Sequence, residues 1–293
     1  MQKEELWIRL SCLHGWTSEQ YINIANQMEK NLPKIHSSNQ EALLFYGLTS
    51  LNIKAFWSKT SKEIQEETTW LNKNNRYLLP LHHSLYPQSI FHSTCAPKLL
   101  WCEGNISLLN QKTITMIGTR KPSLYGKYWA KIFTKILSHE SFIITSGLAV
   151  GIDSIVHQTL LNLNKPSIAI IGSGLSNIYP HCHQKMASDI VKQGGLILSG
   201  APPNTQQTID KFATKNYLLS TLTKAIFVIE AAMQSGSLMT ARFAIEEGRD
   251  VFSLAHPIGQ SEGTHWLIKQ GAHLVTKKED IYNHMNAALK WIK

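Results

Sequence analysis

TITMIGTRKPS, residues 113–123, begins as a short apolar run, stops at Gly118 and continues into polar and basic residues. The run reads as a buried strand, and the glycine lets the backbone turn tightly behind it. Residues 127–137 then read as a helix. Trp129, Ile132, Phe133, Ile136 and Leu137 recur at i, i+3, i+4, i+7 and i+8, which defines one buried face. A strand, a glycine turn and a helix in that order start a parallel βαβ unit.

The same alternation continues outward. Strands are expected at 142–145, 167–171, 196–198, 225–229, 251–254 and 273–275, with helical patterns between most of them. The fold class is therefore α/β: a Rossmann-like, mainly parallel sheet of about seven strands with helices on both faces. Before it, short helices are expected at 4–12, at 18–28 after a His14-Gly15 turn, at 39–45 and at 50–58. The expected division is a small helical domain over 1–65, a sheet domain over 66–280 and a short tail over 281–293, with no winged-helix domain.

Of 293 residues, 43% are hydrophobic and 17% charged, which suffices for a sizeable core and excludes wholesale disorder. The first residues are charged and polar, and no apolar run approaches the roughly 20 residues of a membrane helix. Neither a secretory signal nor a membrane span is expected. Cys12, Cys95, Cys102 and Cys182 form no CxxC pair, which suits reduced thiols in a cytoplasmic protein. His181-Cys182-His183 makes a poor metal site, because its ligands are adjacent and no second cluster at zinc spacing accompanies it. The net charge is +9, of which +8 falls in 66–293, and a surplus of this size favours a polyanionic partner.

In a parallel sheet, ligands bind beyond the carboxyl ends of the strands. Gly118, Thr119, Arg120 and Lys121 lead into a helix start, where free N–H groups attract phosphate, and the Arg120 guanidinium offers a planar fork to a phosphate oxygen pair. They lie in a stretch, 104–139, that holds six basic residues and no acidic one. Lys127, Lys131 and Lys135 share one helix face and read as solvated surface. Gly172, Ser173 and Gly174, with Tyr179-Pro180 behind them, allow close approach of a phosphate or sugar and read equally as a plain turn. The third glycine of a dinucleotide fingerprint and its acidic ribose ligand are missing, so an NAD dehydrogenase is excluded. Asp153 and His157 share a helix face and suit an acid–base pair. With no nucleophile placed beside them, helix capping and loop bracing is the better reading.

Five motifs in this order resemble the DprA/Smf family of DNA-processing proteins, over roughly 77–280. They are HHSLYPQSIFHSTCAPKLLWCEGNISLL, MIGTRKPSLYG, ITSGLAVGIDSIVH, GSGLSNIYPHCHQ and EAAMQSGSLMTARFAIEEGRDVF. The resemblance implies an extended Rossmann fold preceded by a small helical, SAM-like domain. It implies a non-enzymatic homodimer, with no cofactor and no metal, that binds single-stranded DNA and helps load the RecA recombinase in natural transformation. It places DNA phosphates at Gly118, Thr119, Arg120 and Lys121, at Gly172, Ser173 and Gly174, and around Lys211, Phe212, Lys215 and Asn216.

The chain departs from the family pattern in places. Ser199-Gly200-Ala201 stands where an acidic residue is usual, and Ala255-His256-Pro257-Ile258 replaces a Pro-Gly-Pro. Two family arginines become Lys215 and Tyr217; lysine keeps charge without the fork, and tyrosine keeps only a stacking face. Phe212, Tyr217 and Trp266 are candidate stacking faces, although a core position suits each of them better. The other functional reading is a nucleotide-binding enzyme of the phosphoribohydrolase type. It would hold a phosphate at Ser235-Gly236-Ser237 and Thr240, with Arg242 and Glu246 nearby, but that group's paired glycines and catalytic glutamate are not reproduced.

Overall fold

The computed structural model describes residues 1–13, 15–35, 41–91, 96–140 and 142–290. His14 of the expected turn, the expected helix start at Asn39, and Cys95 lie outside them. Five helices come first: α1 (Lys3–Leu10), α2 (Ser18–Glu29), α3 (Glu41–Phe45), α4 (Ser50–Phe56) and α5 (Ser61–Leu71). Both α2 and α5 open with capping boxes, Thr17 with Gln20 and Thr60 with Glu63, which satisfy two otherwise orphaned N–H groups each. The sequence reading missed α5, which runs through the division expected at 65/66.

The chain continues as β1 (Arg76–Pro80), α6 (Gln88–Phe91), β2 (Leu99–Gly104), β3 (Thr113–Ile117), α7 (Leu124–Ser138), β4 (Ile143–Ser146), α8 (Ile152–Asn162) and β5 (Ser167–Ile171). Then come α9 (Gln184–Lys192), β6 (Leu196–Ser199), α10 (Ile209–Thr221), β7 (Ala225–Val228), α11 (Gly236–Glu246), β8 (Asp250–Leu254), α12 (Glu262–Lys269), β9 (His273–Val275) and α13 (Lys278–Lys290). Helix α13 covers the junction expected at 280/281. No helix of the described residues is long and apolar enough to cross a membrane.

The strands form one sheet in the order β1-β2-β6-β5-β4-β3-β7-β8-β9. From β6 to β9 all neighbours are parallel, while β1–β2 and β2–β6 are antiparallel. The sheet therefore has nine strands rather than about seven. Charge at Arg76, the proline ending β1 and the Glu103-Gly104 end of β2 hid the two extra strands from an apolar-run reading. A proline is tolerated at β1 because that strand is an edge.

Side chains alternate across the sheet, as a strand period of two requires. Leu100, Ile168, Ile170, Leu198, Ile226 and Val228 pack on one face with α10, α11 and the first helices, whose Leu6, Leu10, Tyr21, Met28 and Phe56 share that core. Ile114, Met116, Ala225 and Phe227 pack on the other face, against Phe133, Ile152, Val156 and Ile281. Trp101, Ala169, Ile171 and Ile197 form a third cluster with Trp7, Trp70 and Ile190. Helix α7 starts before the expected residue 127, because the Ser123 hydroxyl caps it by accepting the Gly126 N–H at 3.0 Å. Its buried face is also turned: Ala130, Phe133, Thr134 and Leu137 are buried, whereas Trp129, Ile132 and Ile136 are half-buried.

His157 on α8 is fully buried and hydrogen-bonds the Ser167 hydroxyl through Nδ1 at 3.0 Å. Burial pushes its pKa from the ordinary 6.5 down to about 3. Below pH 6.5 the unfolded chain takes up a proton that the folded chain accepts only near pH 3, so acid favours unfolding. Between pH 6 and 4, wild type should lose stability more steeply than His157→Gln, by about 1.4 kcal/mol per pH unit. Urea unfolding across that range checks this, and parallel curves for the two proteins would refute it.

Candidate functional site

The strand order turns back at β3, which pairs with β4 on one side and β7 on the other. From this point the chain is wound in opposite directions, so the loops after β3 and β7 diverge and open a crevice at their carboxyl ends. Two adjoining cavities occupy it. The inner one, about 480 Å³, is lined by Gly118, Thr119, Arg120, Lys121, Asp153, Phe212, Lys215, Asn216 and, at the start of α11, Ser235, Gly236, Ser237 and Thr240. The outer one, about 470 Å³, is lined by Gly172, Tyr179, Pro180, Gln207, Thr208, Ile209 and Val150. Arg120, Ala149, Phe212 and Lys215 line both.

The 118–123 loop is built as a rigid frame. The Thr119 N–H donates to the Glu230 carbonyl at 2.7 Å. The Glu230 carboxylate accepts from the Ser123 N–H at 3.1 and 3.2 Å and from the Ser123 hydroxyl at 2.8 Å. From below, the Ile152 N–H donates to the Thr119 carbonyl at 3.1 Å. Gly151 sits beneath the loop with φ +90°, and a Cβ there would overlap the Thr119 and Arg120 backbone. This corrects one sequence expectation: the start of α7 does not offer its N–H groups to phosphate, because Glu230 already supplies the anion there.

Arg120 is exposed, and among the described residues no carboxylate pairs with it. Its guanidinium lies 5.4 Å from the centre of the Phe212 ring, and the Lys215 ammonium lies 5.7 Å from the same ring. Phe212, Lys215 and Asn216 come from α10, which the Thr208 hydroxyl caps. Gly236 allows Phe212 to lie against α11, since a Cβ there would fall 2.6 Å from the ring.

Lys215 and Asp153 are both buried, at 7% and 5% exposure. Both press on Gly147, where a Cβ would fall 2.6 Å from Asp153 Oδ2 and 2.7 Å from Lys215 Nζ. Burial pushes the Asp153 carboxyl up and the Lys215 ammonium down, and each opposes the other's shift by its charge. Asp153 and His157 therefore part company: Asp153 faces Lys215 and accepts the Ala149 N–H at 3.4 Å, while His157 turns to Ser167. They form no acid–base pair.

Gly118, Thr119, Arg120, Lys121, Gly172, Phe212, Lys215 and Asn216 are thus brought together, and Ser173, Gly174 and Lys211 are not. Ser173 and Gly174 are buried, and the 202–205 segment covers Gly174. The Gly174 N–H donates to the Thr205 carbonyl at 2.8 Å, and a Cβ would overlap the Pro202 and Pro203 carbonyls. Tyr217 is a core residue whose hydroxyl meets Glu247 at 3.1 Å. Trp266 lies under the Arg242 guanidinium at 4.9 Å. Arg242 and Glu246 are exposed and line neither cavity, so the constellation expected of a nucleotide-cleaving enzyme is not assembled. His183, of the doubtful metal triplet, donates through Nδ1 to the Leu148 carbonyl at 2.7 Å.

Sequence reasoning missed three contributors: the Glu230 clamp, the Asp153–Lys215 pairing, and an apolar rim of Val150, Tyr179 and Ile209, exposed by 38%, 47% and 87%. Tyr179, named behind the 172–174 loop, was the available signal for the rim; the other two depend on contacts distant in sequence.

Known proteins match the chain along most of its length. The family model for DNA recombination-mediator protein A matches residues 77–286, and that for the SMF/DprA SAM domain matches residues 1–67. Protein Smf of Escherichia coli (strain K12) is 37% identical, over 100% of this chain and 78% of its own. The X-ray structure of DNA processing protein A from Streptococcus pneumoniae superposes with a TM-score of 0.78 at 28% identity, covering 97% of this chain and 98% of that one. DNA processing protein A from Helicobacter pylori, whose structure describes a single-stranded DNA binding mode, gives 0.63 at 29% identity over 70% of this chain and 93% of that one.

The buried pair supplies a stability test. Asp153→Ala leaves the Lys215 charge without its counter-charge and should cost on the order of 3 kcal/mol. Adding Lys215→Met should recover much of that loss, because no uncompensated charge then remains buried. Urea unfolding of both single variants and the double variant decides it; strictly additive losses would show that the two groups are uncoupled.

Proposed function

The chain belongs to the DprA/Smf family of DNA recombination mediators, and from that premise we propose that the crevice between β3 and β7 binds single-stranded DNA. One observation carries the proposal: Arg120, exposed and without a carboxylate partner among the described residues, is held on a braced loop at the junction of two cavities. A guanidinium fixed in this way clamps a phosphate with little entropy left to lose. Thr119, Lys121 and the start of α11 extend the anion-binding surface into the inner cavity, with Lys215 and Asn216 at its floor. Phe212, Tyr179 and the apolar rim offer faces on which unpaired bases stack, and a duplex keeps its bases stacked inside. Gly172 admits the backbone of the strand at the outer cavity.

The protein acts as a homodimer that delivers such strands to the RecA recombinase during recombination and transformation. The exposed apolar residues Met239 and Ile245 on α11 support a two-fold surface over 239–255 and the C-terminal segment, and two copies place two DNA crevices in one particle.

Fluorescence anisotropy with oligonucleotides of equal length should show tighter binding to single strands than to duplex, weakening steeply with salt. Arg120→Ala should cost about 1–3 kcal/mol of binding and lower the salt slope by about 0.7, while Arg120→Lys recovers part of the loss. Lys131→Ala, on the solvated face of α7, should bind nearly as wild type does. Equal affinity for both DNA forms, or an unaffected Arg120→Ala variant, would overturn the reading. In light scattering the wild type should run as a dimer and Ile245→Asp as a monomer; a monomeric wild type at micromolar concentration would rule out the two-fold surface.

A further inference from the structure

Three ligand-type side chains converge at the amino ends of β8 and β9, across the sheet from both cavities. Asp250 opens β8, His273 opens β9, and His284 projects from α13. The Nε2 atoms of His284 and His273 lie 3.1 Å and 3.5 Å from one and the same oxygen, Asp250 Oδ1. All three ligand atoms fall within 4.8 Å of one another, and this is the grouping of its kind among the described residues. The two imidazole centres are 3.8 Å apart, and both rings lean on Phe252 at 5.2 and 5.5 Å.

This convergence is imposed by backbone that the cluster itself does not hold. Strands β8 and β9 are in parallel register, with Phe252 opposite His273. Helix α13 is fixed by its own cap, in which Asp280 Oδ2 accepts the Thr276 and Lys277 N–H groups at 2.8 and 3.0 Å. Ile281 is fully buried, and His284 follows it by three residues, on the same side of the helix. The ligand positions are therefore prepared before anything binds between them.

The separations from Asp250 suit a metal site. Around a tetrahedral zinc ion, with metal–nitrogen and metal–oxygen bonds of about 2.0–2.2 Å, neighbouring ligand atoms lie roughly 3.3–3.5 Å apart. Of the two distances to Asp250 Oδ1, one falls at the top of that range and the other about 0.2 Å below it, within the adjustment of a side chain. Two imidazoles and one carboxylate suit zinc and its first-row neighbours, whereas magnesium and calcium call for oxygen ligands throughout. The three side chains are each between 36% and 39% exposed, so water reaches the remaining coordination position. We propose that Asp250, His273 and His284 bind one divalent first-row transition cation, of which zinc is the best match, and that the ion pins α13 to the β8–β9 edge of the sheet. The proposal is independent of the DNA-binding reading and stands or falls without it.

Cobalt(II) is the probe, titrated into the untagged full-length chain. One equivalent should bind, with the strong visible absorption of a low-coordinate site, and zinc should displace it. Zinc should also raise the melting temperature. His284→Gln and His273→Gln should each weaken cobalt binding by at least about tenfold and abolish the zinc-dependent rise. Circular dichroism confirms that each variant is folded. A triple variant, His181→Ala with Cys182→Ser and His183→Ala, should leave both readouts as in wild type. The proposal is overturned by the absence of saturable cobalt binding, by binding that His273→Gln and His284→Gln change less than tenfold, or by loss of binding in the triple variant.

Discussion

The Glu230 clamp is the contact on which the rest of the site depends. One residue at the end of β7 uses its carbonyl to hold Thr119 and its carboxylate to hold Ser123, and so ties the loop after β3 to the loop after β7 across the point where the strand order turns back. The carboxylate also sits at the positive end of α7, where the helix dipole favours a negative charge. Two consequences follow from this placement. The loop that carries Arg120 is held at both ends, and the usual anion-binding position at the start of α7 is closed, while Arg120, Lys121 and the start of α11 line the inner cavity.

Charge is distributed in the crevice by the same logic. Lys215 is buried near Asp153, whose charge opposes the effect of that burial, across the space kept open by Gly147. Arg120 has no such partner among the described residues and shares with Lys215 only the face of Phe212. A lysine suits residue 215, since a buried cation beside an internal carboxylate needs charge more than a bidentate fork. The exposed cation is the one that carries the guanidinium.

The two ends of the sheet are put to different uses. At the carboxyl ends, diverging loops leave a cleft lined by backbone turns, the exposed Arg120 and aromatic faces. At the amino ends of β8 and β9, parallel register and a capped helix bring Asp250, His273 and His284 around one point. Both places arise from the parallel winding, which gathers loops of one polarity at each end of the strands.

The alternation of short apolar runs with helical periodicity determined the α/β class, and the glycine at the end of β3 determined which loop carries the site. Both are local properties: strand and helix periods are written in consecutive residues, and a glycine turn needs only its neighbours. The motifs at 118–121 and at 172 and 212–216 located most of the crevice in the same way. Tertiary structure decided the remainder. β1 and β2 became visible as strands only once their partners were in place, because antiparallel pairing at an edge stabilises a segment whose own pattern is weak. Gly174 lost its accessibility to the 202–205 segment, about 30 residues downstream. Glu230 met Ser123 across 107 residues, and Asp153 found Lys215 rather than His157. Spacing along the chain says which side chains share a helix face, but burial, and hence the charge state and the partner of a titratable group, is set by whatever the fold lays over it.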